Sequence, residues 1–473
     1  MSIYFYISIS TYLLLKQRNF ESQFDRSGQD DGGGEEQEGR MSKRGKASQS
    51  PILPYISSFL ACLENPYGPE NQSGLISLCV AENKLLHSML VERLSKTNPY
   101  KTPNIFSYNS MTGLPRLTSS ISSLYSRKVL RGTTVEKSDC MITCGAAGGL
   151  EHLAFLLAEE NDTVLIPSPY YAAFSNDLGV RAKLNLKGID CGGIIGVDGL
   201  EESYDYRVKI VLITNPHNPT GRIYSVEELK EIVEWCRRMK VHLIVDEIYC
   251  MSVFKGRNFT SVIDVCDGSL GDYVHVIWAM SKDFGSSGSR IGCIFSANSS
   301  LKKSLSNVGV FTSVPNCVQE AYAEILEDEK WVDEYLDESV NQLKEGCEIV
   351  EGYLRKLGLE YVEAEGGMFV WANFGCLLPE DSWEGEEAFT VLMFEEGGVV
   401  LTPGQSQGAS SPGWYRICYA WNPIPVLEVA MERLSYVVEV VRERGWVDLD
   451  VEDMDEVTVG GVRRRGSSWI GDS

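Results

Sequence analysis

Lys282, Asp246, Asn218 and Arg290 are the residues of this 473-residue chain whose types and neighbours could do chemistry together. Asn218 lies in NPHNPTG (215–221), directly after the apolar run IVLIT (210–214). Asp246 opens DEIY after VHLIV (241–245), and Ser281-Lys282 follows VHVIWAM (274–280), with Arg290 eight residues beyond the lysine. Ligands of open α/β sheets bind outside the carboxyl ends of the strands, so each of these residues stands where a ligand would be. A lysine amine forms an imine with an aldehyde and, once displaced, moves protons. An aspartate beside a pyridine nitrogen keeps it protonated, and the ring then accepts the electrons of a Cα carbanion. Asn218 and Tyr249 offer hydrogen bonds to a ring oxygen. Arg290, the Ser281 hydroxyl and the backbone amides of Gly145-Ala146-Ala147, where a helix begins, suit a phosphate dianion. Together these are the needs of pyridoxal phosphate.

Taken singly, each residue has an ordinary explanation. A lone lysine is usually a solvated surface charge. An aspartate after an apolar strand is often a cap, and NPxNPTG is a good turn signal without chemistry. The ordered set, with each member at a strand end, is what points to a site.

The elements that must position them alternate between strand and helix, which predicts an α/β domain with a mainly parallel sheet. Strands are expected at 141–144, 163–167, 210–214, 241–245 and 274–280, and helices at 149–160 and 225–240, the second opened by a Ser225/Glu228 capping box. Near Asn316 the pattern changes to long helices (317–356) and then mixed elements up to about 444, which marks a second, smaller domain. The division is 1–50 as a disordered, Gly-rich and polar extension, 51–85 as an N-terminal segment of the small domain, 86–315 as the large domain, 316–444 as the small domain and 445–473 as a loose tail.

Composition excludes several functions. Lys+Arg 43 against Asp+Glu 66 gives a net charge of −23, which repels phosphate backbones and anionic lipid, so no nucleic-acid partner is expected. The apolar run at 3–15 is shorter than the roughly 20 residues that span a bilayer, and no basic residue precedes it; a membrane role is not expected, with a membrane-directing extension as the alternative. The 13 cysteines form no C-x-x-C pair and the five histidines no H-x-x-x-H pair, so no metal site is expected, and reduced thiols in a cytoplasmic protein fit better than a disulfide scaffold.

NPHNPTG, VDEIY and SKDFGSSGSRIG resemble the signatures of the class I/II aminotransferases, pyridoxal-phosphate enzymes of fold type I. ENPYGPENQSGLISLCVAENKL (64–85), PSPYYAAFSNDL (167–178) and PGWYRICYA (412–420) are similar to the 1-aminocyclopropane-1-carboxylate synthase branch of that family. The resemblance implies a seven-stranded, mainly parallel large-domain sheet flanked by helices, a smaller α+β domain and a homodimer. It implies that Lys282 is the Schiff-base lysine and Asp246 the pyridinium partner, that Asn218 and Tyr249 bond the 3′-oxygen, and that Tyr171 stacks on the ring. Ser281, Arg290 and the Ala146-Ala147 turn would bind phosphate, Arg416 the substrate α-carboxylate and Glu82 its far end. Three positions depart from the synthase pattern: Met111 replaces a tyrosine that reaches the partner's phosphate, Asn176 an arginine, and Cys79-Val80 a glycine-leucine pair. These departures put the synthase reaction in doubt and are compatible with an aminotransferase or a carbon–sulfur lyase; transamination between an amino acid and a 2-oxo acid is favoured because it demands the fewest special contacts. Ring closure on S-adenosylmethionine, carbon–sulfur β-elimination and a non-catalytic cofactor-binding protein stay open.

Overall fold

The computed structural model describes residues 41–42, 45–46, 48–49, 53 and 55–446, apart from 102 and 257. The apolar run at 3–15 and the tail beyond 446 lie outside the described residues, as does most of the Gly-rich stretch. A short strand β1 (Ile76–Ser77) precedes the seven strands of the main sheet: β2 (Cys140–Cys144), β3 (Thr163–Ser168), β4 (Asn185–Asp190), β5 (Val208–Thr214), β6 (His242–Asp246), β7 (Val274–Ala279) and β8 (Ile291–Phe295). Their spatial order is β2-β8-β7-β6-β5-β3-β4. All neighbours run parallel except β8, which is antiparallel to both β2 and β7.

The central strands are mostly apolar because helices cover both faces. Successive residues of one strand point to opposite faces. Val211, Ile213, Leu243, Val245 and Val276 therefore enter one core, while Ile210, Leu212, Ile244 and Ile277 enter another. Edge strand β4 (NLKGID) is largely exposed, and its polar character escaped the expectations from hydropathy.

Several boundaries differ from expectation. The helix after β2 spans Gly145–Leu157, beginning four residues before the expected start at 149, because the strand runs straight into it through Gly145 at φ 69°. The glycine-alanine run taken for a turn is its first turn. The long helical stretch breaks into Asn316–Leu326 and Glu329–Lys356, since Asp328 caps the second helix by accepting from the Trp331 N–H at 3.2 Å.

The smaller sheet contains β9 (Glu360–Val362), β10 (Phe369–Asn373), β12 (Thr402–Pro403) and β13 (Trp414–Cys418), in the antiparallel order β12-β13-β10-β9. Strand β11 (Val399–Val400) pairs in parallel with β1, so the N-terminal segment is bound to the C-terminal third of the chain. Ile76, Leu78 and Ala81 share a core with Leu343, Leu354, Phe389 and Leu434.

Candidate active site

Strands β5, β6 and β7 are neighbours, and they deliver Asn218, Asp246 and Lys282 to one end of the sheet. Lys282 follows β7 in the helical turn Met280–Asp283, where its Nζ donates to the Ala81 carbonyl. Burial pulls its ammonium down to about 8, and the Arg416 charge acts in the same direction, opposed by Glu82 and Asp246. Asp246 is buried at the end of β6, and its Oδ1 accepts from the Ile248 N–H at 3.3 Å. Desolvation pushes its carboxyl up to about 7, with the Ile248 N–H and Lys282 opposing. The amine and the carboxylate are therefore within electrostatic reach of each other.

Asn218 is the junction of the site. Its Nδ2 donates to the Tyr249 hydroxyl at 3.3 Å, and its Oδ1 accepts from Arg416 at 3.0 Å. Tyr249 is buried edge-on against Phe369, with ring centroids 5.4 Å apart, and desolvation raises its hydroxyl pKa. Arg416, on β13 of the smaller sheet, is buried to 1% exposure. It also donates to the Cys79 carbonyl at 2.6 Å and to Thr402 Oγ1 at 3.3 Å, and its Nε has no partner. A buried guanidinium N–H without an acceptor is costly. Tyr171 packs edge-on against Phe174 at 5.3 Å, within electrostatic reach of Asp246 and Arg416.

A second cluster forms where the helix at Gly145 begins. Arg290 donates to the Ser287 carbonyl at 2.9 Å and the Cys144 carbonyl at 3.4 Å, and its own carbonyl accepts from the Gly145 N–H at 3.0 Å. A Cβ on Gly145 would lie 2.5 Å from the Arg290 guanidinium, so only glycine permits this approach. Arg290 and the Ala147 position are exposed, Ala146 is partly so, and Ser281 is buried in the turn that carries Lys282. Helix-terminal N–H groups beside a guanidinium make a dianion cradle. An amine, a buried carboxylate, two hydroxyl or amide donors and this cradle match the donor set of pyridoxal phosphate.

Glu82 accepts from Ser287 Oγ, and its second oxygen lies 3.9 Å from Lys84 Nζ. It stands near Lys282 but is already partnered. Met111 is partly buried, with its carbonyl 2.7 Å from where a Gly309 Cβ would be; Asn176 is likewise partly buried, one residue before Asp177.

Three contributors carried no sequence signal. Tyr55 lies within electrostatic reach of Arg416, from a segment without motif character. The carbonyls of Cys79 and Ala81 hold Arg416 and Lys282, a service that any residue type supplies, so the Cys79-Val80 replacement leaves it intact. Asp177, its carboxyl raised by burial to about 6 and opposed by Arg290, is in a quoted motif but was assigned no role. Among the described residues no group of three His, Cys, Asp or Glu side chains is arranged to hold a metal ion.

Residues 73–434 match the family model for aminotransferase class I and II. The chain is 33% identical over 409 residues to 1-aminocyclopropane-1-carboxylate synthase 7 of Arabidopsis thaliana, covering 80% of this chain and 91% of that protein. It is 30% identical over 414 residues to 1-aminocyclopropane-1-carboxylate synthase of Glycine max, covering 81% and 85%. Among solved structures, a Thermus thermophilus aspartate aminotransferase double mutant superposes with a TM-score of 0.71 at 21% identity, covering 84% of this chain and 99% of that one. Aspartate aminotransferase from Thermotoga maritima gives 0.71 at 22% identity, covering 84% and 100%. These likenesses establish the fold.

Proposed function

Because the chain belongs to the aminotransferase class I and II family, we propose that it is an aminotransferase, moving the amino group of an amino acid to a 2-oxo acid. It is a pyridoxal-phosphate-dependent enzyme of fold type I. Bound pyridoxal phosphate supplies the electron sink for charge left at Cα. In this reading Asp246 would hold its ring nitrogen, Asn218 and Tyr249 its ring oxygen, and Tyr171 its ring face. Arg290, Ser281 and the N–H groups of Ala146 and Ala147 would hold its phosphate. Lys282 Nζ, with its ammonium pulled down to about 8, is the base that takes the Cα proton. Arg416 would bind the substrate α-carboxylate through a guanidinium whose Nε is left unpaired. Arg416 comes from the smaller sheet and is bonded at 3.0 Å to Asn218 at the end of the larger one, so the carboxylate would be bound where the two sheets meet.

The observation that carries transamination over ring closure is the state of Glu82. A carboxylate facing the sulfonium of S-adenosylmethionine should be free to meet a cation, whereas Glu82 is bonded by Ser287 and lies beside Lys84. Ring closure is the second reading, favoured by the synthase names of the relatives at 30–33% identity. A homodimer belongs to the proposal, supported by the exposed aromatics Phe106, Tyr108 and Phe311. So does a cytoplasmic location, supported by 13 free cysteines.

The test supplies the loaded enzyme with S-adenosylmethionine alone, and separately with amino acids and 2-oxoglutarate. Glutamate in the second arm is the expected result. Methylthioadenosine in the first arm would establish ring closure instead, and ammonia with a 2-oxo acid in the absence of an acceptor would establish elimination. No turnover in any arm, or no cofactor mass on Lys282 after borohydride reduction, would overturn the enzyme.

A further inference from the structure

Each of the two reactive residues has a buried carboxylate as its chain neighbour: Glu247 follows Asp246, and Asp283 follows Lys282. Glu247 is 0% exposed and Asp283 1%. A buried carboxylate needs several donors, and both have them. Glu247 accepts from the Tyr125 hydroxyl at 2.5 Å, Ser261 Oγ at 2.8 Å and the Val262 N–H at 2.8 Å. Asp283 accepts from Ser252 Oγ at 2.6 Å, the Trp278 indole N–H at 2.8 Å and Cys250 Sγ at 3.7 Å.

The two sets are parts of one structure. The Cys250 N–H donates to the Glu247 carbonyl at 3.0 Å, and the Ser252 N–H to the Tyr249 carbonyl at 2.9 Å. Tyr125 and Trp278, one donor from each set, meet edge-on at 6.1 Å. The segment from Asp246 to Ser252, which carries Tyr249, is therefore anchored at one end by the Glu247 side chain. At the other end it is tied by Ser252 and Cys250 to the turn that carries Lys282.

We propose that Glu247 and Asp283 are positioning residues that hold Asp246, Tyr249 and Lys282 in register with one another through this buried network. The inference rests on the cofactor-binding roles proposed above for those three residues. A site held by hydrogen-bonded supports keeps its geometry, and a displacement of about 1 Å there costs on the order of a hundredfold in rate. Each anchor takes hold one residue away from a reactive side chain, so the lever is short.

The test uses the full chain without cofactor and reads the pH midpoint of Lys282 modification by an amine-reactive acylating reagent, followed by peptide mass spectrometry. A lysine freed from its buried setting regains an ordinary pKa. Asp283→Ala and Glu247→Ala should move that midpoint upward from about 8 and weaken pyridoxal-phosphate binding by about tenfold or more. Asp283→Glu should not restore it, because the longer chain cannot meet the same three donors. If an alanine variant fails to fold, Ser252→Ala and Tyr125→Phe each remove one donor, and a smaller shift in the same direction is expected. Leu354→Ala, in the other core, serves as the control for general destabilisation. Folded variants with unchanged midpoint and cofactor affinity would overturn the proposal, as would an equal shift in Leu354→Ala. The midpoint is read without turnover, so failure here is separable from failure of the aminotransferase assignment.

Discussion

At the scale of single residues, the proposed chemistry depends on Lys282 being a free amine near neutral pH. Burial lowers its pKa, and the positive charge of Arg416 lowers it further. The folded pKa of about 8 lies below the ordinary 10.5, so the ammonium form carries a cost in the folded protein, which is relieved as pH rises from about 8 towards 10.5. The apoprotein should therefore capture pyridoxal phosphate with a rate that rises through a midpoint near pH 8. Arg416→Met removes the neighbouring cation and should move that midpoint upward. Cofactor uptake followed by absorbance across pH measures both. A wild-type midpoint at the ordinary lysine value, or a downward shift in the variant, would contradict this account. Asn218 gains a double role at this scale: one amide ties Tyr249, proposed to hold the cofactor, to Arg416, proposed to bind the substrate.

At the scale of elements, the site rests on where strands stop. β5, β6 and β7 are buried on both faces, so their polar successors emerge together at one edge of the sheet. The helix Val226–Met239 returns the chain from β5 to β6, and its start is fixed by a reciprocal cap. Ser225 Oγ accepts from the Glu228 N–H at 3.2 Å, while Glu228 Oε2 accepts from the Ser225 N–H at 2.7 Å. Ser225→Ala should lower stability by about 1 kcal/mol, read as a lower denaturation midpoint with an unchanged slope; an unaltered midpoint would show the cap to be dispensable. This helix was legible from Ser225, Glu228 and its apolar spacing. The start at Gly145 was not, because glycine is a poor helix former in isolation. Only the adjoining strand and the close approach of Arg290 put helical geometry there.

At the scale of the whole molecule, three carboxyls lie in the interior close to the site. Burial raises Asp246, Glu247 and Asp283 to about 7 each, against ordinary values of 3.8, 4.5 and 3.8. Their folded values exceed the unfolded ones, so the stability they lend is fully present below the unfolded pKa and is lost as pH rises through about 7. The apoprotein should melt at progressively lower temperature between about pH 4 and about pH 7, and Asp283→Asn should show a shallower decline. Thermal melts of the two proteins across that range decide it, and parallel curves would refute the assignment of the slope to Asp283. What the sequence determined by itself was the kind and order of the candidate site residues, since NPHNPTG, DEIY and SKDFGSSGSR name their side chains and apolar strands announce where each emerges. The tertiary structure alone decided that Arg416 meets Asn218, that Ala81 and Cys79 offer their carbonyls, and that Glu82 is taken by Ser287. Those contacts join segments far apart in the chain, several of them through backbone atoms common to all residues, and so they leave no mark on residue type or spacing.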